Sequence, residues 1–153
     1  MQLSELITAF KDVALSHYNI NSFDIGDDYL IEGNKTHDYP KFFLETPFNI
    51  IYPLTNSGQY YTVSFAFLVL MNKLEDNTLD QIQGVSDSAL ITEQILARIR
   101  QLYANTIHVV LANSLTYNDT TNEGLSTTRT DITVNILLNQ CTKPDELQVI
   151  FNK

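Results

Sequence analysis

Basic charge is scarce in this sequence. Nine lysines and arginines face eighteen aspartates and glutamates, which leaves a net charge of −9 on 153 residues. A protein that grips a phosphate backbone draws on clustered Lys and Arg, so this scattered handful argues against a high-affinity phosphate-backbone binder. Cysteine is scarcer still: Cys141 stands alone, which rules out an internal disulfide and any multi-cysteine metal knuckle and fits a reducing compartment. The five glycines, Gly26, Gly33, Gly58, Gly84 and Gly124, are too dispersed for a phosphate-cradling loop or a dinucleotide fingerprint. Long apolar runs are missing too. The longest, Phe65 to Met71, falls far short of the ~20 residues a bilayer helix needs. The opening Met1–Phe10 carries an early Glu5 and no basic region ahead of an apolar core, so it does not read as a secretory signal.

What is present is core-forming material. Hydrophobic residues make up 44% and aromatics 10%, and the length suits one α+β domain. The chain is organised around Gln59–Leu74, where Tyr61, Val63, Phe65, Phe67, Val69 and Met71 alternate with Thr62, Ser64, Ala66, Leu68 and Leu70. That period of two predicts a central strand. Its second half is apolar on both faces, so the covering helices, or a neighbouring subunit, are expected to pack on Leu68 and Leu70.

Around it the other elements fall into place. Leu3, Leu6, Ile7, Phe10, Val13, Ala14 and His17 share one side of a 3.6-residue period, predicting a helix over 2–18 that stops at Asn19, Asn21 and Ser22. Phe23–Asp38 reads as a loop-rich region holding a short strand near Tyr29–Glu32. In PKFFLETPFNIIYP, Pro40, Pro47 and Pro53 bracket two aromatic runs, predicting an edge strand or one bent at Pro47. The turn Asn56-Ser57-Gly58 then gives antiparallel pairing to the central strand. Ser86 is the expected N-cap of a second helix over Asp87–Ala104, with Val85 and Leu90 as a staple and Ile91, Ile95, Leu96, Ile99, Leu102 and Tyr103 as its buried stripe. A hairpin follows. Ile107, Val109, Leu111 and Leu115 alternate with His108, Val110, Ala112 and Ser114, and the return strand spans Thr130–Asn139. A polar loop, Asn118–Thr128, projects between the two strands, and a tail over 142–153 contains the apolar stretch Leu147–Phe151.

Reactive groups do not converge in the sequence. No Gly-x-Ser-x-Gly elbow occurs, and Cys141 has no histidine close by. His17, His37 and His108 lack metal-binding spacing. Asp24, Asp27, Asp28 and Glu32 form the densest carboxylate group, but DIGDDYLIE lacks the alternation of a calcium loop and reads as a solvated acidic segment. Asn34-Lys-Thr36 and Asn118-Asp-Thr120 match the glycosylation acceptor pattern by chance, since no secretory signal accompanies them. The expectation is a protein that is not an enzyme and holds no cofactor or metal.

The succession of the N-terminal helix, YPKFFLETPF, QYYTVSFAFLVLMNKLEDN, SALITEQILARIRQL and TRTDITVNILL resembles the tail-terminator and tail-completion proteins of tailed bacteriophages, in particular small neck or tail ring proteins of phages infecting Bacteroidetes. The likeness spans nearly the whole chain and lies in element order and texture. It implies a mostly antiparallel sheet with two covering helices and a long C-terminal hairpin. It also implies a virion subunit, assembled in the host cytoplasm, that forms a ring of six or twelve copies at the neck or tail top. Such a ring would contact neighbouring neck and tail proteins and surround a channel that DNA passes without specific binding. It brings no catalytic residues. A cyclic ring needs two different complementary surfaces, and the sequence offers Asn118, Asp119, Asn122, Glu123 and Leu125 of the loop, and Leu147, Val149 and Phe151 of the tail. The rival reading is a non-catalytic ligand- or peptide-binding α+β module, monomeric or dimeric. A third is an enzyme assembled from dispersed carboxylates and His108.

Overall fold

The computed structural model describes residues 1–27, 38–52, 60–72, 78–118 and 125–137. The elements run α1 (Leu3–Ser16), β1 (Ser22–Gly26), β2 (Lys41–Ile51), β3 (Tyr60–Asn72), α2 (Thr78–Leu102), β4 (Ile107–Asn118) and β5 (Leu125–Leu137). They form an α+β fold with one five-stranded sheet in the order β1-β2-β3-β5-β4, antiparallel except for the parallel β1–β2 pair. Alternation along β3 places it centrally, as its sequence predicts.

Both helices lie on one face of this sheet. Leu6, Ala9, Phe10, Val13 and Ala14 of α1 and Ile91, Ile95, Leu96 and Ile99 of α2 are buried against Tyr61, Val63, Phe65, Phe67 and Val69 of β3 and Ile132, Val134 and Ile136 of β5. The Phe10 ring meets Phe65 edge-on at 5.2 Å, and Phe23, Phe42 and Phe67 stack in sequence at 5.9 and 4.9 Å across three strands. Each such ring removes a large apolar area from water, and the offset geometries add to that burial. At its start α1 is closed by Glu5, whose carboxylate accepts from the Gln2 backbone N–H at 2.6 Å. At its other end His17 Nε2 meets Gln94 Oε1 at 2.8 Å, tying the two helices together.

Several expectations are corrected. The second helix starts at Thr78, not Asp87; Ser86 is exposed within it and caps nothing, and Val85 and Leu90 lie inside the helix. Gly84, which in the sequence reads as lying just ahead of a helix start, is instead inside the helix at a point of close approach: a Cβ there would sit 2.5 Å from Ser126 Oγ and 2.9 Å from Ser126 Cβ. Leu102 is exposed, not part of the stripe. The segment after Asn21 forms β1 directly, paired in parallel with β2, while the strand expected near 29–32 lies outside the described residues. β2 is no edge strand but bends, its register to β3 shifting between Glu45 and Asn49 around Pro47.

The helices do not cover Leu68 and Leu70. These point to the opposite face and are 4% and 2% exposed, in a second cluster with Phe43, Leu125 and Tyr39 that includes no residue of either helix among those described. No neighbouring subunit is needed to bury them.

The face between α2 and β5 is small and polar for a geometric reason. Four helical residues rise about 6 Å and two strand residues about 6.6 Å, so Gly84 and Ser88 step along α2 in phase with Ser126 and Thr128 on β5. Ser88 Oγ donates to the Val85 carbonyl at 2.9 Å and lies 2.7 Å from Thr128 Oγ1, whose hydroxyl can donate back to it. Thr92 Oγ1 donates to the Ser88 carbonyl at 2.9 Å. All three hydroxyls are buried and partnered, so the seam carries no desolvation penalty.

Candidate interaction surface

On the face away from the helices, beside the Leu68–Leu70 cluster, polar side chains meet across the sheet. Thr62 Oγ1 donates to Asn135 Oδ1 at 2.8 Å, and Ser64 Oγ meets Thr133 Oγ1 at 3.0 Å across the β3–β5 ladder. Beside them Arg129 reaches Glu45 at 3.0 Å and Asp131 at 2.7 Å. Burial works to lower the Arg129 pKa, but its bond to Glu45 and the two carboxylate charges outweigh this and raise it above its ordinary value. These groups border a depression of about 290 Å³ lined by Glu45, Pro47, Ser64, Leu111, Arg129 and Asp131 among others. Its one guanidinium is already held by two carboxylates, so the depression offers structure more than reactivity.

Further along β1 and β2, Lys41 is 3% exposed and pairs with Asp24 at 2.8 Å, and Asp27 accepts from Thr46 Oγ1 at 2.7 Å. Two members of the sequence's acidic group therefore serve the sheet edge directly. Asp28 and Glu32 lie outside the described residues.

Apolar side chains cluster where β2 ends, β3 begins and β5 ends. Ile51, Tyr52, Tyr60 and Leu137 are all exposed. Tyr60 is directly opposite Leu137, and Ile51 is opposite Thr62, so Ile51, Tyr60 and Leu137 share the uncovered face. Tyr52 stacks on Tyr61 at 5.7 Å, and the Tyr61 hydroxyl donates to the Met1 carbonyl at 2.9 Å. Burial, with Tyr52 and Glu5 adding to it, raises the Tyr61 pKa above its ordinary value. Exposed aromatic and aliphatic side chains gathered at one end of a sheet, Ile51, Tyr60 and Leu137 on one face and Tyr52 on the other, are of the kind found at protein–protein contacts.

β4 is the second such feature. A register shift between Val109 and Leu111 inserts Val110 as an extra residue, so the simple alternation read from the sequence breaks there. Ile107, Val109 and Ala112 turn toward the core, and Leu111 and Leu115 turn away from it. The loop between β4 and β5 is shorter than the sequence suggests. Asn118 is the last residue of β4 and accepts a bond from Ser126 Oγ at 2.7 Å, and Leu125 opens β5 with its side chain 3% exposed in the second cluster. The strand ladder runs to these residues because Leu125 and Ser126 pair with both Asn72 and Met71 on one side and Asn118 on the other. Leu125 is thus committed to its own subunit's core. Asp119, Asn122, Glu123, Leu147, Val149 and Phe151 lie outside the described residues.

Among the described residues no helix is long and apolar enough to cross a membrane, and no three His, Cys, Asp or Glu side chains come together as a metal site. The chain matches no protein-family model and no curated protein.

Proposed function

We propose that this chain is a structural subunit that assembles with copies of itself, in keeping with its resemblance to the ring proteins at the neck and tail top of tailed phages. The observation that carries the reading is the exposed Ile51, Tyr52, Tyr60 and Leu137 group at one end of the sheet. In a ring it would be one of the two unlike surfaces that head-to-tail closure requires. The net charge of −9 also suits a channel wall that DNA passes without being held. On this reading neighbouring neck and tail proteins contact the ring from above and below, and the protein belongs to the virion.

Light scattering coupled to size exclusion, with negative-stain imaging of the same sample, tests this. A closed ring is the expected particle, and Ile51→Lys together with Tyr60→Glu should leave a folded subunit that no longer closes. A wild-type chain that stays monomeric or dimeric when mixed with its neck neighbours, and shows no ring on grids, would count against it.

A further inference from the structure

We propose that β4 pairs edge to edge with β4 of a second copy, antiparallel about a two-fold axis, joining two five-stranded sheets into one of ten strands. β4 lies at the rim of the sheet, and its twelve residues pair only with β5 among those described. Edges left to water are ordinarily guarded by charge, proline, a bulge or a short strand; the bulge of β4 sits at Val110, and beyond it Leu111–Asn118 runs in unbroken register with β5. β4 has no Asp, Glu, Lys, Arg, Pro or Gly, whereas β1 at the opposite rim is five residues long and carries Asp24. Instead it presents Val110, Leu111 and Leu115 at 53, 60 and 67% exposure. In a chain of net charge −9, a rim without acidic side chains of its own lets two like-charged copies approach along it.

The occupant is a second copy because the pattern complements itself. Antiparallel pairing centred on Asn113 sets Asn113 opposite its own equivalent and Leu111 opposite the second copy's Leu115, twice over. Beside β4 on the helix side, Glu93, Leu96, Ala97 and Arg100 of α2 and Ser114 of β4 line one depression of about 300 Å³. Glu93 and Arg100 are exposed and make no ion pair with a described residue. They are seven residues apart, about two helical turns or ~10 Å along one face. A two-fold axis passing near Ala97 and Asn113–Ser114 runs the two α2 helices antiparallel, so Glu93 of each copy faces Arg100 of the other. Next to Asn113 stands Asp131; with two β4 strands between them the two Asp131 side chains are roughly 14 Å apart, beyond the ~8 Å screening length, and each is already bonded to Arg129. This contact does not depend on the ring reading, since the side chains that carry that reading, Ile51, Tyr52, Tyr60 and Leu137, are not on β4.

Three measurements on the full chain test it. In a Cys141→Ser background, Asn113→Cys should give a disulfide-linked dimer under mild oxidation, because opposed residues of antiparallel strands lie about 4.5–5.5 Å apart, within disulfide reach. His108→Cys should not. Leu115→Lys, at an exposed position, should keep the native circular dichroism and weaken self-association. Glu93→Arg or Arg100→Glu alone should weaken it on the order of tenfold, and the two together should restore it. No crosslink at position 113, equal crosslinking at 108, or a double swap no better than either single change would overturn the proposal. A ring that forms without a crosslink at 113 overturns this contact and leaves the ring reading standing; a 113-linked dimer with no ring does the reverse.

Discussion

Replacing Gly84 with alanine opposes two effects of known size. In an exposed helix interior the change is worth about 1 kcal/mol in favour of alanine. In α2 the new methyl would lie 2.5 Å from Ser126 Oγ and 2.9 Å from Ser126 Cβ, against about 3.5–4.0 Å for an ordinary carbon contact. Rotating the hydroxyl relieves only the first clash. The Cβ is fixed to the β5 backbone, Ser126 is fully buried, and its hydroxyl is bonded to Asn118, so α2 must lift from the sheet. Overpacking of this kind costs about 1–3 kcal/mol, and the lift also strains the Ser88–Thr128 bond one step along. The balance is a loss of about 1 kcal/mol, a Tm lower by about 2–4 °C. Ser126→Gly removes both offending atoms. In that background Gly84→Ala should become stabilising by up to about 1 kcal/mol, so the double-mutant cycle should show a coupling of about 2 kcal/mol. Urea denaturation of the four proteins measures it. A Gly84→Ala protein more stable than wild type, or additive behaviour in the cycle, would refute the claim that this glycine exists for close approach.

Two other perturbations have definite signs. The folded-state pKa of Tyr61 is raised, so the protein gains stability from it that is fully present below the unfolded value of about 10. That gain is lost as pH rises through the folded value; Tyr61→Phe should flatten the alkaline fall in urea-midpoint stability and, through loss of the bond to the Met1 carbonyl, cost about 1 kcal/mol at neutral pH. Glu45→Gln should cost about 1 kcal/mol, less in high salt, since Glu45 is the more buried of the two carboxylates on Arg129. Asp131→Asn, at the exposed partner, should change stability little, and equal losses from both would show that burial is not what separates them.

Periodicity was enough to determine the central strand, α1 and most of the α2 core stripe, because burial on one face imposes a period that any sequence must display, and the short connection at Asn56-Ser57-Gly58 was enough for the antiparallel pairing of β2 with β3. Ile91, Ile95 and Ile99 are buried as their spacing requires. Features that depend on what lies opposite were not legible. Gly84 and Ser86 look like a helix start, yet only the nearness of Ser126 explains a glycine inside α2. β1 is five residues, in which Phe23 and Ile25 alternate too briefly to mark a strand, and it exists because β2 supplies its partner in parallel. Leu68 and Leu70 announce in sequence that both faces of β3 are buried, but not that the helices take only the other face. The bulge at Val110 exchanges the faces of β4, sending Leu111 and Leu115 outward and making an apolar rim of what reads as core. A one-residue insertion leaves composition and hydrophobicity unchanged; its effect exists only in the register against β5, and the candidate self-association surface rests on that register.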